Sequence, residues 1–291
     1  MLSAEQLARL RGLRIETSRK ARGILAGRYD AKLLGQGLSF HEVRPYQPGD
    51  DIRRMDWNVS ARTMQPHVKV FTEERELTVY LVVDTSPSMR FGSRRVWKSE
   101  LATETVAVLS QLALSQGDPV GMVLTGAPPR VLRPRKGHEQ WTRLVQASSV
   151  SDNGGPSSLI DALGTLAKVA KRRGVVFVIS DFLAPLDLPH MGKLAHRHDV
   201  VPVWLSDLRE RELPDVGLAQ MMDPETGDIF EVDTASPRVR AVYAATAARM
   251  VAARTEAFGK LGLKPVHVDT AKDPVEPLRS YFAGRKARRS R

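Results

Sequence analysis

Two apolar segments that each lead into an aspartate constrain the fold of this chain more than any other feature. Residues 79–83 run directly into Asp84, and residues 175–179 are followed within two positions by Asp181. A strand that is apolar at every position is typical of a parallel sheet covered by helices on both faces. A helical pattern at 98–116 follows the first strand, and such alternation favours crossover connections. The sequence therefore predicts an α/β fold with a doubly wound, mostly parallel sheet.

The rest of the chain continues this alternation after residue 77 but not before it. Further strands are predicted at 119–125, 200–205 and 265–269, an antiparallel edge at 130–133, a hairpin across 216–233, and helices at 138–148, 157–173, 187–197, 237–262 and 274–283. Earlier residues are rich in turn formers and predict a helix at 4–26 with short extended pieces at 38–43 and 67–71. We expect three parts: an N-terminal region of helix and small β elements (1–76), the α/β domain (77–284) and a basic tail (285–291).

The positive charge of the chain is concentrated at its two ends. The net charge is +11; residues 1–32 carry +5 and residues 285–291 carry another +5, which leaves about +1 for everything between them. Proteins that bind nucleic acids usually carry a basic patch across a folded surface. The distribution therefore predicts no nucleic-acid partner.

Composition also indicates the compartment. The chain has no cysteine, which excludes disulfides and thiolate metal sites and fits a reducing cytoplasm. No apolar run reaches the roughly 18 residues that a membrane span needs, and the first residues lack the layout of a signal peptide. We expect a soluble, cytoplasmic protein without a transmembrane segment.

Polar side chains follow the predicted strands where a ligand would bind in such a sheet. Asp84, Ser86 and Ser88 come after the first buried strand, Ser157 opens a helix, and Asp181 follows a later strand. Ligands of doubly wound sheets sit beyond the carboxyl ends of the strands. Side chains that offer only oxygen ligands suit a hard cation, with Mg²⁺ as the first candidate and Mn²⁺ or Ca²⁺ as the next. Each piece also has a simpler interpretation as a turn or helix cap; their combination favours a metal site.

This combination resembles the metal-ion-dependent adhesion site of von Willebrand factor A domains, whose pattern is Asp-x-Ser-x-Ser, a later Thr, and an Asp after a strand. Asp84, Ser86, Ser88 and Asp181 match without change. Serine replaces the family's threonine at Ser157, with Ser158 as the alternative. The resemblance implies that the hydroxyls bind the metal directly or nearly so, that the carboxylates act largely through water, and that a partner's acidic side chain completes the coordination.

The upstream sequence resembles one bacterial family. Residues 44–57 contain Pro-Gly-Asp-Asp-Ile-Arg and Asp-Trp, and Ala-Arg-Thr follows at 61–63; together they are similar to the domain-of-unknown-function fifty-eight family. The resemblance implies a MoxR-type AAA+ ATPase as partner, with a possible client protein. Many family members have transmembrane helices, a feature that this sequence does not share.

The same block interleaves acidic and basic side chains. Its three aspartates (Asp50, Asp51 and Asp56) alternate with three arginines (Arg53, Arg54 and Arg62). Arginine pairs bidentately with carboxylates, which predicts an ion-pair network that holds β turns. A docking face for the ATPase is the alternative.

An enzyme is the main alternative class. A phosphatase of the haloacid-dehalogenase type also places an Asp after its first strand, but it needs a second carboxylate two residues on, where this chain has Ser86. No phosphate-binding Gly-x-x-x-x-Gly-Lys loop and no Gly-x-Ser-x-Gly elbow occur. We therefore expect a metal-dependent protein-binding adaptor and no catalytic residue. A structural domain with a vestigial metal site is the third possibility.

Overall fold

The computed structural model describes two units that meet in sequence at residue 78. The described residues are 38–73, 78–149, 158–184, 188–224 and 226–289; the predicted helix at 4–26 lies outside them. In the first unit, β1 (Leu38–Pro45) pairs antiparallel with β2 (His67–Glu73). A 3-10 turn (Ile52–Arg54) and the short helix α1 (Trp57–Thr63) lie between the two strands in sequence. The predicted extended pieces are confirmed.

The aspartates of the first unit hold its turns, and among the described side chains their partners are not the predicted Arg53 and Arg62. Asp51 accepts from the backbone N–H at the start of the 3-10 turn, and Asp56 caps α1. Asp50 forms a two-pronged ion pair with Arg44, at 2.7 and 2.8 Å. An arginine–carboxylate pair in the block is therefore confirmed for Asp50 but with Arg44, while Asp56 also pairs with Lys69 at 3.5 Å.

The second unit is the α/β domain. Its strands are β3 (Thr78–Val83), β4 (Val120–Leu124), β5 (Arg130–Arg135), β6 (Gly174–Ser180), β7 (Asp199–Ser206), β8 (Leu218–Met222), β9 (Ile229–Asp233) and β10 (Val266–Asp269). Its helices are α2 (Lys98–Ser115), α3 (His138–Ser149), α4 (Leu159–Val169), α5 (Leu188–Arg197), α6 (Pro237–Lys260) and α7 (Val275–Arg289). Within the described part of the chain, no helix combines the length and the apolar character needed to cross a bilayer.

The strand order of the main sheet confirms the predicted fold class. The six strands are arranged β10-β7-β6-β3-β4-β5; all neighbours are parallel except β5, which is the predicted antiparallel edge. The chain moves outward from β3 to β4 and later returns to β6 on the other side of β3. The strand order therefore reverses between β3 and β6, where ligands bind in doubly wound sheets.

Both faces of the sheet are covered, as the uninterrupted apolar strands predict. Leu81 and Val83 face a core that includes residues of α2 and α3, whereas Tyr80 and Val82 face one that includes residues of α4 and α5. At the start of β6, Gly174 lies against β3, and a Cβ there would collide with the carbonyl oxygen of Thr78. Glycine thus permits the close pairing of the two strands that carry the candidate site.

One buried carboxylate fixes the loop between β3 and α2. Asp207, directly after β7, accepts hydrogen bonds from the backbone N–H (2.8 Å) and hydroxyl (2.5 Å) of Ser93 and from the hydroxyl of Thr270. Burial alone would raise the pKa of Asp207, but the donors from Ser93 and Thr270 outweigh it and lower this pKa below its usual value. The carboxylate therefore ties the loop to the ends of β7 and β10 and is stabilised in its charged form.

We predict that Asp207→Asn lowers the free energy of unfolding by roughly 2–3 kcal/mol, because the amide NH₂ is itself a donor and would face the donors of Ser93 and Thr270 from which the carboxylate accepts. A carboxyl whose folded pKa is depressed stabilises the fold above its unfolded pKa, and this contribution is lost as the pH falls through the folded pKa. The difference between wild type and variant in urea unfolding should therefore shrink from about pH 6 towards about pH 3. Glu231→Gln, at an exposed site, is the control. A pH-independent difference would contradict the assignment.

Candidate metal centre

Asp84 lies at the point where the strand order reverses. Its backbone N–H donates to the carbonyl of Ile179 at 2.9 Å, so β3 and β6 remain paired up to the site. Its Oδ1 accepts from the N–H of Ser86 at 2.9 Å, and its Oδ2 accepts from the hydroxyl of Ser180 at 2.6 Å. The residue is 7% exposed. Both carboxylate oxygens therefore already have a protein donor.

The two serines of the motif place their hydroxyls side by side. The Oγ atoms of Ser86 and Ser88 are 3.1 Å apart. Ser86 precedes the 3-10 turn Pro87–Arg90, yet its side chain makes no capping hydrogen bond. Ser86 thus stands at the N-cap position before Pro87, as the simpler interpretation expects, but its hydroxyl does not cap the turn. A pair of neighbouring hydroxyls next to Asp84 is the arrangement that the metal-site motif predicts.

Asp181 occupies the corresponding position after β6 and is 2% exposed. Its Oδ1 accepts from the N–H of Leu183 at 3.0 Å, and its Oδ2 accepts from Nζ of Lys98 at 2.6 Å. Phe182, the next residue, has φ +51°, a left-handed conformation that is uncommon outside glycine. Its N–H donates to the Ser180 hydroxyl at 2.9 Å, so one hydroxyl connects this turn to Asp84.

Lys98 is the unexpected member of the site. It is the first residue of α2, has no exposed surface, and forms a second ion pair with Oε1 of Glu210. The other oxygen of Glu210 accepts from the backbone N–H of Asp207 at 2.9 Å. A fully buried lysine is rare unless it is paired, and here the ammonium lies between two carboxylates from different parts of the chain.

The buried ionisable side chains of the site shift one another's pKa values. Burial raises the pKa of Asp84, and the nearby Asp181 carboxylate raises it further. Burial by itself would lower the pKa of Lys98, but the carboxylates of Asp181 and Glu210 outweigh that effect and raise it. The raised pKa favours the charged form of Lys98, and the site brings three carboxyl groups, those of Asp84, Asp181 and Glu210, together with one ammonium.

The third hydroxyl of the motif is only partly described. Ser157 lies outside the described residues. The alternative, Ser158, is the N-cap of α4, and its Oγ accepts from the N–H of Asp161 at 3.1 Å. The structure thus gives Ser158 a structural role, whereas the assignment of Ser157 stays a prediction.

Sequence reasoning missed four side chains at the site. Three are the supports already described (Lys98, Ser180 and Glu210), and the fourth is Thr125 at the end of β4, which accepts from the N–H of Thr85 at 2.7 Å. Two signals were present. A lysine at the first position of a helix opposes the helix dipole, which makes Lys98 unusual without indicating its partner. Asp207-x-x-Glu210 has the spacing of a capping box, which it forms.

The donor set fits a hard divalent cation. It consists of the Ser86 and Ser88 hydroxyls and the carboxylates of Asp84 and Asp181, all oxygen. Across the described ranges, no group of three or more His, Cys, Asp or Glu side chains is placed to hold a metal. Any metal held here would therefore depend on serine hydroxyls in addition to carboxylates.

Two bacterial proteins show the sequence similarity of this chain. The uncharacterized protein Rv1480 of Mycobacterium tuberculosis is 33% identical over 286 residues, which cover 96% of this chain and 89% of that protein. The uncharacterized protein YeaD of Bacillus subtilis is 25% identical over 173 residues, which cover 59% of this chain and 40% of that protein.

Solved structures match this chain at lower sequence identity than these relatives do. An aerotolerance-related membrane protein from Bacteroides fragilis matches with a TM-score of 0.47 and 13% identity, covering 72% of this chain and 99% of that one. BatB from Bacteroides thetaiotaomicron matches with a TM-score of 0.43 and 14% identity, covering 73% and 99%. The SpRpn10 VWA domain matches with a TM-score of 0.39 and 10% identity, covering 69% and 93%.

The family model described as "Protein of unknown function DUF58" matches residues 42–253, a span that includes the upstream block and the described candidate site residues. Together with the 33% identity to Rv1480 over nearly the whole chain, this match confirms the resemblance seen in the sequence: the chain belongs to the DUF58 family.

Proposed function

We propose that this chain is a metal-dependent protein-binding adaptor, in which Asp84, Ser86, Ser88 and Asp181, with Ser157, hold a divalent cation at the end of the sheet. Mg²⁺ is the first candidate, then Mn²⁺ and Ca²⁺. One observation carries the proposal: each oxygen of the two buried carboxylates has a protein donor, while the Ser86 and Ser88 hydroxyls lie together beside Asp84. Carboxylates that already accept hydrogen bonds suit the water-mediated role that the family resemblance implies for them, and the adjacent hydroxyls lie where that resemblance expects the direct ligands.

The partner is proposed to be a MoxR-type AAA+ ATPase, as the family resemblance implies, with a client protein as a further possibility. A bound divalent cation would supply a centre that accepts an anionic oxygen, such as a partner's Glu or Asp. The chain's own residues would then hold that centre at the carboxyl ends of the parallel strands β3 and β6. The cytoplasmic location stays a prediction from composition.

The adaptor function is favoured over a phosphatase. Asp84 is buried, and its oxygens are engaged by Ser86 and Ser180. A carboxylate that attacks phosphorus needs an accessible oxygen and a nearby general acid. Position 86, where a phosphatase of this type needs a second carboxylate, supplies a hydroxyl, which is a poor general acid.

The first prediction concerns metal binding. MgCl₂ or MnCl₂ at about ten times the dissociation constant should raise the melting temperature of the wild type by about 2–5 °C, because the ligand binds only the folded state. Asp84→Ala should abolish that increase while circular dichroism shows an intact fold. Glu231→Gln, an exposed carboxylate, should respond like the wild type. An identical response in Asp84→Ala would place the metal elsewhere.

The second prediction concerns catalysis. The purified protein with Mg²⁺ should hydrolyse p-nitrophenyl phosphate and ATP at the rate of a buffer control, because no general acid stands beside Asp84. The matched variant is Asp84→Asn, which keeps the size of the side chain. Turnover in the wild type that disappears in Asp84→Asn would replace the adaptor by the phosphatase.

The third prediction concerns the partner. EDTA and Asp84→Ala should weaken binding to the MoxR-type ATPase to the same extent, because each removes the same bridge. Deleting residues 285–291 should matter mainly at low salt, since exposed charges are screened over about 8 Å at physiological ionic strength. Calorimetry or a pulldown with purified ATPase measures both effects.

The opposite pattern would relocate the interface. Arg53 is exposed and forms no ion pair among the described side chains, so Arg53→Ala tests the upstream block without disturbing its turns. Binding that survives EDTA but is lost in Arg53→Ala would move docking to that block.

A further inference from the structure

We propose that Lys98 is a tethered counter-ion that, together with Glu210, sets how strongly the site binds a divalent cation. The lysine holds Asp181 in place without metal and competes electrostatically with any cation that enters. This inference rests on the proposed function of the site and concerns its regulation.

The contacts of Lys98 are those of a built-in cation. Its ammonium has no exposed surface, lies 2.6 Å from Oδ2 of Asp181, and also contacts Oε1 of Glu210. The ring of Phe91 covers it, with 5.8 Å between Nζ and the ring centroid. The carboxylates of Asp181 and Glu210 lie 83 and 112 positions away from Lys98 along the chain. The ammonium therefore cross-links the ends of β6 and β7 to the start of α2.

Helix formation does not require a lysine at this position. The start of α2 is capped by its neighbours, since the N–H of Trp97 donates to Oε2 of Glu100 at 3.1 Å. A positive charge in the first turn is unfavourable because the helix dipole places partial positive charge there. Long lysine side chains normally extend to water. The buried carboxylates are what account for this lysine.

A charge count indicates why Glu210 is present. Asp84, Asp181 and Glu210 together carry three negative charges when ionised, and Lys98 carries one positive charge, so the cluster sums to −2. That sum equals the charge a divalent cation neutralises. Glu210 is not among the predicted metal ligands, and it restores the negative charge that Lys98 removes. Removing the lysine charge leaves −3, and removing the Glu210 charge leaves −1.

The test is calorimetric titration of MgCl₂ and MnCl₂ at constant ionic strength into wild type, Lys98→Met, Glu210→Gln and the double variant. One unit charge several ångströms from the cation changes affinity by about tenfold or more at an effective dielectric constant near 20. Lys98→Met should therefore bind metal at least about tenfold more tightly, and Glu210→Gln about tenfold more weakly. The double variant should return close to the wild type.

Stability without metal gives the second readout. Metal-free Lys98→Met should melt below the wild type, because the buried Asp181 and the partly buried Glu210 lose their counter-ion, and added Mg²⁺ should restore more of this loss than it adds to the wild type. Lys260 and Glu256 form an exposed ion pair at 2.8 Å on α6 and provide the matched control. Lys260→Met and Glu256→Gln should leave metal affinity unchanged.

The outcomes separate this inference from the proposed function. If the wild type binds metal through Asp84 and Lys98→Met has the same or lower affinity, the counter-ion role is overturned while the metal site stands. If only Lys98→Met binds metal, the counter-ion role is supported, and the proposed metal dependence of the wild type is overturned. If neither the wild type nor Lys98→Met binds metal, both the counter-ion role and the proposed metal dependence are overturned. Should Lys98→Met fail to fold, a metal affinity of Glu210→Gln equal to or above that of the wild type overturns the inference.

Discussion

The site depends on one electrostatic constraint: two carboxylates are buried at the ends of neighbouring parallel strands, and each must receive donors there. Asp84 is satisfied by neutral donors, the Ser86 N–H and the Ser180 hydroxyl, whereas Asp181 receives the charged Lys98. Removing a charge from water without compensation costs several kcal/mol. The pKa of Asp84 is raised because the neutral donors Ser86 and Ser180 do not fully offset the cost of burying its charge. The different treatment of the two aspartates lets both lie in one small, buried region.

The same constraint organises the surrounding loops. Lys98 must reach Asp181 from the start of α2, which fixes where that helix begins relative to β6. Glu210 balances the lysine and is itself held by the backbone of Asp207, whose carboxylate fixes Ser93. The polar network therefore extends from the ends of β3 and β6 to those of β7 and β10. Loops at the ends of strands usually vary in position, but these are tied to buried charges and so present a defined surface.

Local and long-range features differ in how far the sequence predicts them. The elements of the α/β domain could be predicted because apolar runs and helical periodicity are local signals, and the ends of adjacent parallel strands bring Asp84 and Asp181 to one edge of the sheet. The sequence could not place Lys98 and Glu210 at the site. Lys98 pairs with residues that are 83 and 112 positions away, and in a sequence a buried lysine cannot be distinguished from an exposed one. The upstream aspartates show the reverse error. Their spacing from nearby arginines predicts local pairs, but backbone N–H groups at helix starts are closer and take two of the carboxylates.

Because donors within the protein already satisfy the buried carboxylates, a bound metal would have a different effect here than in a small zinc domain. In small zinc domains the ligands are unsatisfied without metal, so most of the binding free energy goes into folding. Here Ser180, Lys98 and backbone N–H groups already satisfy both carboxylates, and the large two-sided core of the sheet does not depend on them. The fold would therefore form without the divalent cation that we propose, although the bound cation would still stabilise the folded state by mass action. Its binding free energy would be available to orient the serine hydroxyls and to attract an anionic group of a partner, which is what a reversible adaptor requires and a structural clamp does not.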